Sequence, residues 1–162
     1  MNATGDILSE WGTKGSGDGQ FDIWIGAGAG IAVDTSGNIY VADGGNNRIQ
    51  KFDLNGNFIV KWGTRGSGDN QFNYPGGVAV DASGFVYVAD TGNNCIKKFD
   101  STGNFIVKWG TSGSGNGQFD SPKSVAVDDS GFVYVADTRN NRIQKFAPAI
   151  TAGDSVSINM SK

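Results

Sequence analysis

Apolar runs of strand length alternate along this chain with clusters of Gly, Asn, Asp and Ser. The pattern is clearest in the middle, where GGVAVD (76–81), FVYVAD (85–90), CIKKFD (95–100) and NFIVKWG (104–110) are separated by ASG (82–84), TGNN (91–94) and STG (101–103). The runs are rich in Val, Ile, Phe and Tyr and have the length of ordinary strands. The short spacers carry the residues that supply positive φ in tight hairpin turns. A period of two in FIVKW predicts Phe105, Val107 and Trp109 on one face and Ile106 and Lys108 on the other. Four consecutive antiparallel strands are predicted here.

The same set recurs. Asp43, Asp90 and Asp137 are 47 residues apart (90 − 43 and 137 − 90), as are Trp62 and Trp109 (109 − 62). Trp11 and Trp62 are 51 apart (62 − 11), and comparing QFDIWIGAGAGIAVD (20–34) with QFNYPGGVAVD (71–81) places the excess between Phe21 and Ile31. Repeats of 40 to 50 residues with four short strands each are the pattern of β-propeller blades. Residues 62–99 and 109–146 are identical at 27 of 38 positions. Such similarity fits recent duplication or deliberate construction, and leaves little divergence from which to build a unique site.

GVAVD-x-SG-x-VYVADT-x-NN-x-I-x-KF, with FIVKWG-x-x-GSG-x-x-QF between copies, resembles the NHL repeat family over roughly residues 5 to 147. The resemblance implies an all-β fold of four-stranded blades, and family propellers usually have six. Residues 1–147 are expected to form three blades. In them GDILSEWG (5–12) matches GNFIVKWG (56–63) and so reads as an outermost strand without its own blade. Three is half of six, so the expected partner is a second copy. In that homodimer each 5–12 strand completes the last blade of the other chain and closes a six-bladed ring. A fragment of a longer chain and an engineered half-propeller are the alternatives. Residues 148–162 form a tail without a repeat signal.

Composition narrows the chemistry. The 162 residues include 26 Gly, 1 Cys and no His, with a net charge of −3. Without His, the Ser-His-Asp, Cys-His and His-zinc chemistries cannot be assembled within the chain. The acidic pI of about 4.7 argues against general nucleic-acid binding but leaves room for a local basic patch. No run approaches a membrane span of roughly 20 apolar residues. The start MNATGDILSEW has no basic stretch followed by an apolar one, so a cytoplasmic location is the default expectation.

The candidate binding residues are Trp24, Arg48, Arg65, Lys123, Arg139 and Arg142. Trp24 is the tryptophan outside the repeat, in IWIGAGAG (23–30). That segment is either a docking loop on the face where family propellers bind partners, or an extended first strand, or a buried plug. Arg48 and Arg142 follow NN at equivalent places. They either form a repeated ion pair with a nearby Asp, or join Arg65, Lys123 and Arg139 in a basic patch. Lys123 and Arg139 are peculiar to the third copy, so the repeat does not account for them. Asp43, Asp90 and Asp137 read as acceptors for turn amides in D-x-x-NN, and Trp11, Trp62 and Trp109 as packing between blades. Cys95 replaces an arginine and lacks a base partner, so no nucleophile and no catalytic residue is assigned. No cofactor or metal site is expected. Calcium in a central channel remains an alternative that would need six to eight converging oxygens.

The functional expectation is a non-catalytic scaffold that binds a protein or peptide on its loop face. The resemblance also brings in a metal-dependent lyase- or lactonase-like enzyme and an RNA-binding module as alternatives. The first lacks histidine ligands here, and the second is weakened by 13 basic against 16 acidic residues.

Overall fold

A computed structural model describes residues 5–23 and 29–148, and the regular elements among them are β-strands and single 3-10 turns. The pair β1 (Thr13–Lys14) and β2 (Gln20–Phe21) leads into β3 (Ile31–Val33), β4 (Ile39–Asp43), β5 (Arg48–Phe52) and β6 (Phe58–Trp62). A second pair, β7 (Thr64–Arg65) and β8 (Gln71–Phe72), leads into β9 (Pro75–Val80), β10 (Val86–Asp90), β11 (Cys95–Phe99) and β12 (Phe105–Trp109). A third, β13 (Thr111–Ser112) and β14 (Gln118–Phe119), leads into β15 (Pro122–Val127), β16 (Val133–Asp137) and β17 (Arg142–Phe146). The order in each main sheet is sequential and antiparallel: β3-β4-β5-β6, β9-β10-β11-β12 and β15-β16-β17. The small pairs are parallel, a feature that the apolar pattern did not announce.

Turn chemistry sets the hairpins. The second and third strands of each sheet are joined by a 3-10 turn closed by Asn47, Asn94 or Asn141 in the left-handed region, at φ 54, 53 and 53. Asn tolerates that region because its short side chain bonds locally. Asp34, Asp81 and Asp128 build the preceding turn. The Asp34 carboxylate, for example, accepts from the amides of Ser36 and Asn38, each at 2.9 Å.

The core lies between sheets. Tyr40, Ala42 and Ile49 of the first meet Val78, Val86, Val88 and Phe99 of the second, with Phe72 fully buried among them. Tyr87, Ala89 and Ile96 then meet Val125, Val133 and Val135, with Phe119 in the place of Phe72. Trp62 stands between Tyr40 and Phe99, at ring separations of 6.4 and 6.0 Å, and Trp109 between Tyr87 and Phe146, at 6.5 and 6.0 Å. The tryptophans thus pack between sheets, as their periodicity suggested.

The simple alternation expected in FIVKW is interrupted. Lys98 pairs with Val107 but Phe99 with Phe105, so Ile106 is an extra residue in a β-bulge. Phe105 therefore packs toward the first sheet with Phe99, while Trp109 packs toward the third. The first sheet repeats this irregularity between Lys51 and Phe52. Residues 5–12 have no ladder partner among the described residues and are exposed, yet the Trp11 ring lies 6.3 Å from that of Phe52.

Candidate binding face

Each loop that enters a sheet is tied down by one buried carboxylate. Asp43 accepts from the amide of Asp22 (2.8 Å), from Arg48 Nε (2.8 Å), from Gln50 Nε2 (3.1 Å) and from the Asn46 side chain. The amides it accepts from are the backbone amide of the preceding loop and the side-chain amides of Asn46 and Gln50, not the backbone amides of its own D-x-x-NN turn. Arg48 also donates to the carbonyls of Ser16, Gly17 and Gln20, each at 2.8 Å, and its side chain is only 7% exposed. In the third copy Arg142 donates to Asp137 at 2.8 Å and to the carbonyls of Ser114, Gly115 and Gln118. Both arginines are therefore clamps beneath the glycine-rich loops. Burial raises the Asp137 pKa, but the Asp120 amide, Asn140 and Arg142 outweigh it and hold the carboxyl below its ordinary range.

The second copy solves the problem with different residues, which the sequence reading missed. Cys95 stands where the arginine should be, and Lys97 replaces glutamine two residues later. Lys97 Nζ is 2.8 Å from Asp90 Oδ2 and donates to the carbonyls of Gly68 and Gln71, the equivalents of Gly17 and Gln20. The signal was present as a paired departure, Arg-x-Gln to Cys-x-Lys. Burial, reinforced by Asp90, pushes the Cys95 thiol up to about 11. It is a protonated filler at neutral pH.

Other candidates point outward at the same end of the sheets. Arg65 is exposed, its guanidinium 5.9 Å from the centre of the Tyr74 ring. It lines a cleft of about 500 Å³ together with Arg48, Lys61 and Trp62. Lys123 is exposed on β15, one residue beyond Pro122, which pairs with Asp137. Arg139 follows in the adjacent turn, its side chain 72% exposed and 3.6 Å from Asp120. Lys123 and Arg139 are thus brought to one end of the third sheet, with Arg65 at the neighbouring junction. Trp24 lies outside the described residues. Among the described residues no group of three or more Cys, Asp or Glu side chains is placed to hold a metal ion.

Comparison with known proteins agrees with the architecture. NHL repeats are recognised at residues 29–52, 72–99 and 119–146. The chain is 50% identical over 60 residues to Protein lin-41 of Caenorhabditis elegans, an alignment covering 36% of this chain and 5% of that protein. A Bacteroides thetaiotaomicron protein of unknown function superposes with a TM-score of 0.62 at 20% identity, covering 79% of this chain and 38% of that one. A streptogramin B lyase structure gives 0.53 at 16% identity, covering 80% and 44%, and virginiamycin B lyase from Staphylococcus aureus 0.52 at 13%, covering 77% and 43%. The chain therefore spans less than half of each of these proteins, and the structural likenesses speak to fold alone.

Proposed function

The chain belongs to the NHL repeat family, and from that premise we propose that it is a non-catalytic β-propeller scaffold whose loop face binds a protein or peptide partner through an acidic segment. The observation that carries this reading is a division of labour among the polar residues. The carboxylates repeated in every copy, Asp43, Asp90 and Asp137, are buried and, with their cations (buried for Arg48 and Lys97, half-buried for Arg142), hold the loops from beneath. Those peculiar to one copy, Lys123 and Arg139, are exposed at the loop end, where Arg65 joins them. Exposed cations on a rigid frame suit a carboxylate-rich segment, and their contribution is steering and register more than raw affinity. Two such chains would form a six-bladed ring and present the face twice.

The test is fluorescence anisotropy of the full chain with a labelled oligoglutamate peptide, beside a single-stranded RNA oligonucleotide of equal charge. Salt-sensitive binding of the peptide, weakened about tenfold or more in an Arg65→Ala/Lys123→Ala/Arg139→Ala variant, supports the proposal. Equal affinity in the variant overturns it, and retention of RNA alone would assign the face to nucleic acid. A large rise in thermal midpoint with calcium, reversed by EDTA, would favour a metal-dependent enzyme instead.

A further inference from the structure

Among the described residues, the two outer sheet faces are unmatched halves of a contact that the chain makes twice internally. Ile49 and Ile96 are fully buried, whereas Ile143 at the same position of the third copy is 66% exposed. Val78 and Val125 are 5% and 6% exposed against the preceding sheet, whereas the equivalent Ile31 is 63% exposed. Beside Ile31 opens a cleft of about 400 Å³ lined by Glu10, Trp11, Phe21 and Val41. At the next junction the corresponding space is occupied by Tyr40, Ala42 and Ile49.

The strand edges are unmatched in the same sense. Each of the other main sheets has a fourth strand, but among the described residues none pairs with the far edge of β17. Residues 5–12 have the sequence of a fourth strand without its sheet. Their tryptophan is already seated as its counterparts are. Trp11 lies against Phe52 and over Gly56, as Trp62 lies against Phe99 and over Gly103.

We infer that residues 5–12 of one chain pair antiparallel with β17 of a second copy, and reciprocally, so that two chains close one ring. The register follows from Ile96↔Trp109, Lys97↔Lys108, Lys98↔Val107 and Phe99↔Phe105. It places Ile143 opposite Trp11, Gln144 opposite Glu10, Lys145 opposite Ser9 and Phe146 opposite Ile7.

Charge supplies an independent mark of this junction. Within the chain, Lys61 on β6 is 2.5 Å from Asp18, and Lys108 on β12 is 2.9 Å from Asp69. At the third junction the lysine position is Glu10 and the aspartate position is Asn116. An aspartate at 116 would face Glu10 with like charge, and asparagine removes the repulsion while leaving a donor. The two exchanges lie at opposite ends of the sequence and compensate one another only across the inferred contact.

The inference rests on the propeller reading but not on the ligand, since mass and peptide binding are read separately. Light scattering on the full chain at micromolar concentration is expected to give about 33.8 kDa, twice the 16.9 kDa of one chain. Asn116→Asp should raise the dimer dissociation constant roughly 2- to 30-fold through its two symmetric contacts, and adding Glu10→Lys should restore it. Both substitutions are at exposed positions, so the sheets should stay folded. A 16.9 kDa mass at tens of micromolar overturns the inference. So does a dissociation constant that Asn116→Asp leaves unchanged, or a dimer that survives deletion of residues 1–12.

Discussion

Lys97 Nζ lies 2.8 Å from Asp90 Oδ2 with both side chains fully buried, and it holds the loop that arginine holds in the neighbouring copies. Arg48 reaches its loop from a position two residues earlier on the strand, with Gln50 in the place of Lys97. The same carboxylate is thus neutralised by either of two residue pairs. Removing one member of a buried pair leaves an unpaired charge, which costs about 3–5 kcal/mol. Lys97→Met should therefore lower unfolding stability by about that amount in urea titrations. Cys95→Arg/Lys97→Gln, which installs the residues of the other copies, should recover most of the loss. A double variant no more stable than Lys97→Met would refute the equivalence.

Cys95 should be inert while the protein is folded. Burial is the main reason that its thiol is pushed up to about 11, with Asp90 adding to it. Thiolate is the reacting species, so at pH 8 the folded chain offers little of it, and access is blocked as well. Labelling with an aromatic disulfide reagent should be slow in buffer and complete within the dead time in denaturant. Fast labelling of the native chain would show that the strand opens locally.

The repeat period, the strand boundaries and the packing of the tryptophans were legible because each depends on residues close in sequence and repeated in register. Arg48 and Arg142 were legible only as a pair of alternatives, since a sequence does not say whether a guanidinium turns inward. Lys97 escaped notice because its role depends on the carbonyls of Gly68 and Gln71, which a loop brings over it from more than twenty residues upstream. The bulge at Ile106 was invisible for a related reason. Strict alternation is a property of a flat strand, and the twist that a bulge accommodates is imposed by the neighbouring sheets.

Gly103 lets the second sheet lie close against Trp62 of the first. A Cβ there would meet the Trp62 ring at 2.6 Å, and φ is +93. Gly117 has a similar backbone, at φ +73, with nothing within 4 Å of a Cβ. Gly117→Ala should cost about 1–2 kcal/mol from the left-handed backbone alone. Gly103→Ala should cost about 1–3 kcal/mol more, since the tryptophan must shift out of its packed position. Equal losses for the two variants in chemical denaturation would show that Trp62 moves freely.

Acid should destabilise the chain below about pH 4, chiefly through its turn aspartates. Burial acts to raise the Asp100 pKa, but Asn104 and Thr102 together lower it from 3.8 to about 2. Asp128 is likewise held low, by the Tyr134 hydroxyl and the amides of Phe132 and Ser130 against an opposing desolvation effect. As pH falls, the unfolded carboxyls take up protons first, near 3.8, while the folded ones still resist. The stabilisation is therefore complete above the unfolded value and is lost as pH falls through the folded one. Urea midpoints should be flat between pH 7 and 5 and drop steeply from 4 to 2, with a shallower drop in Asp100→Asn. An unchanged slope in that variant would mean that Asp100 binds its proton as readily in the folded chain as in the unfolded one.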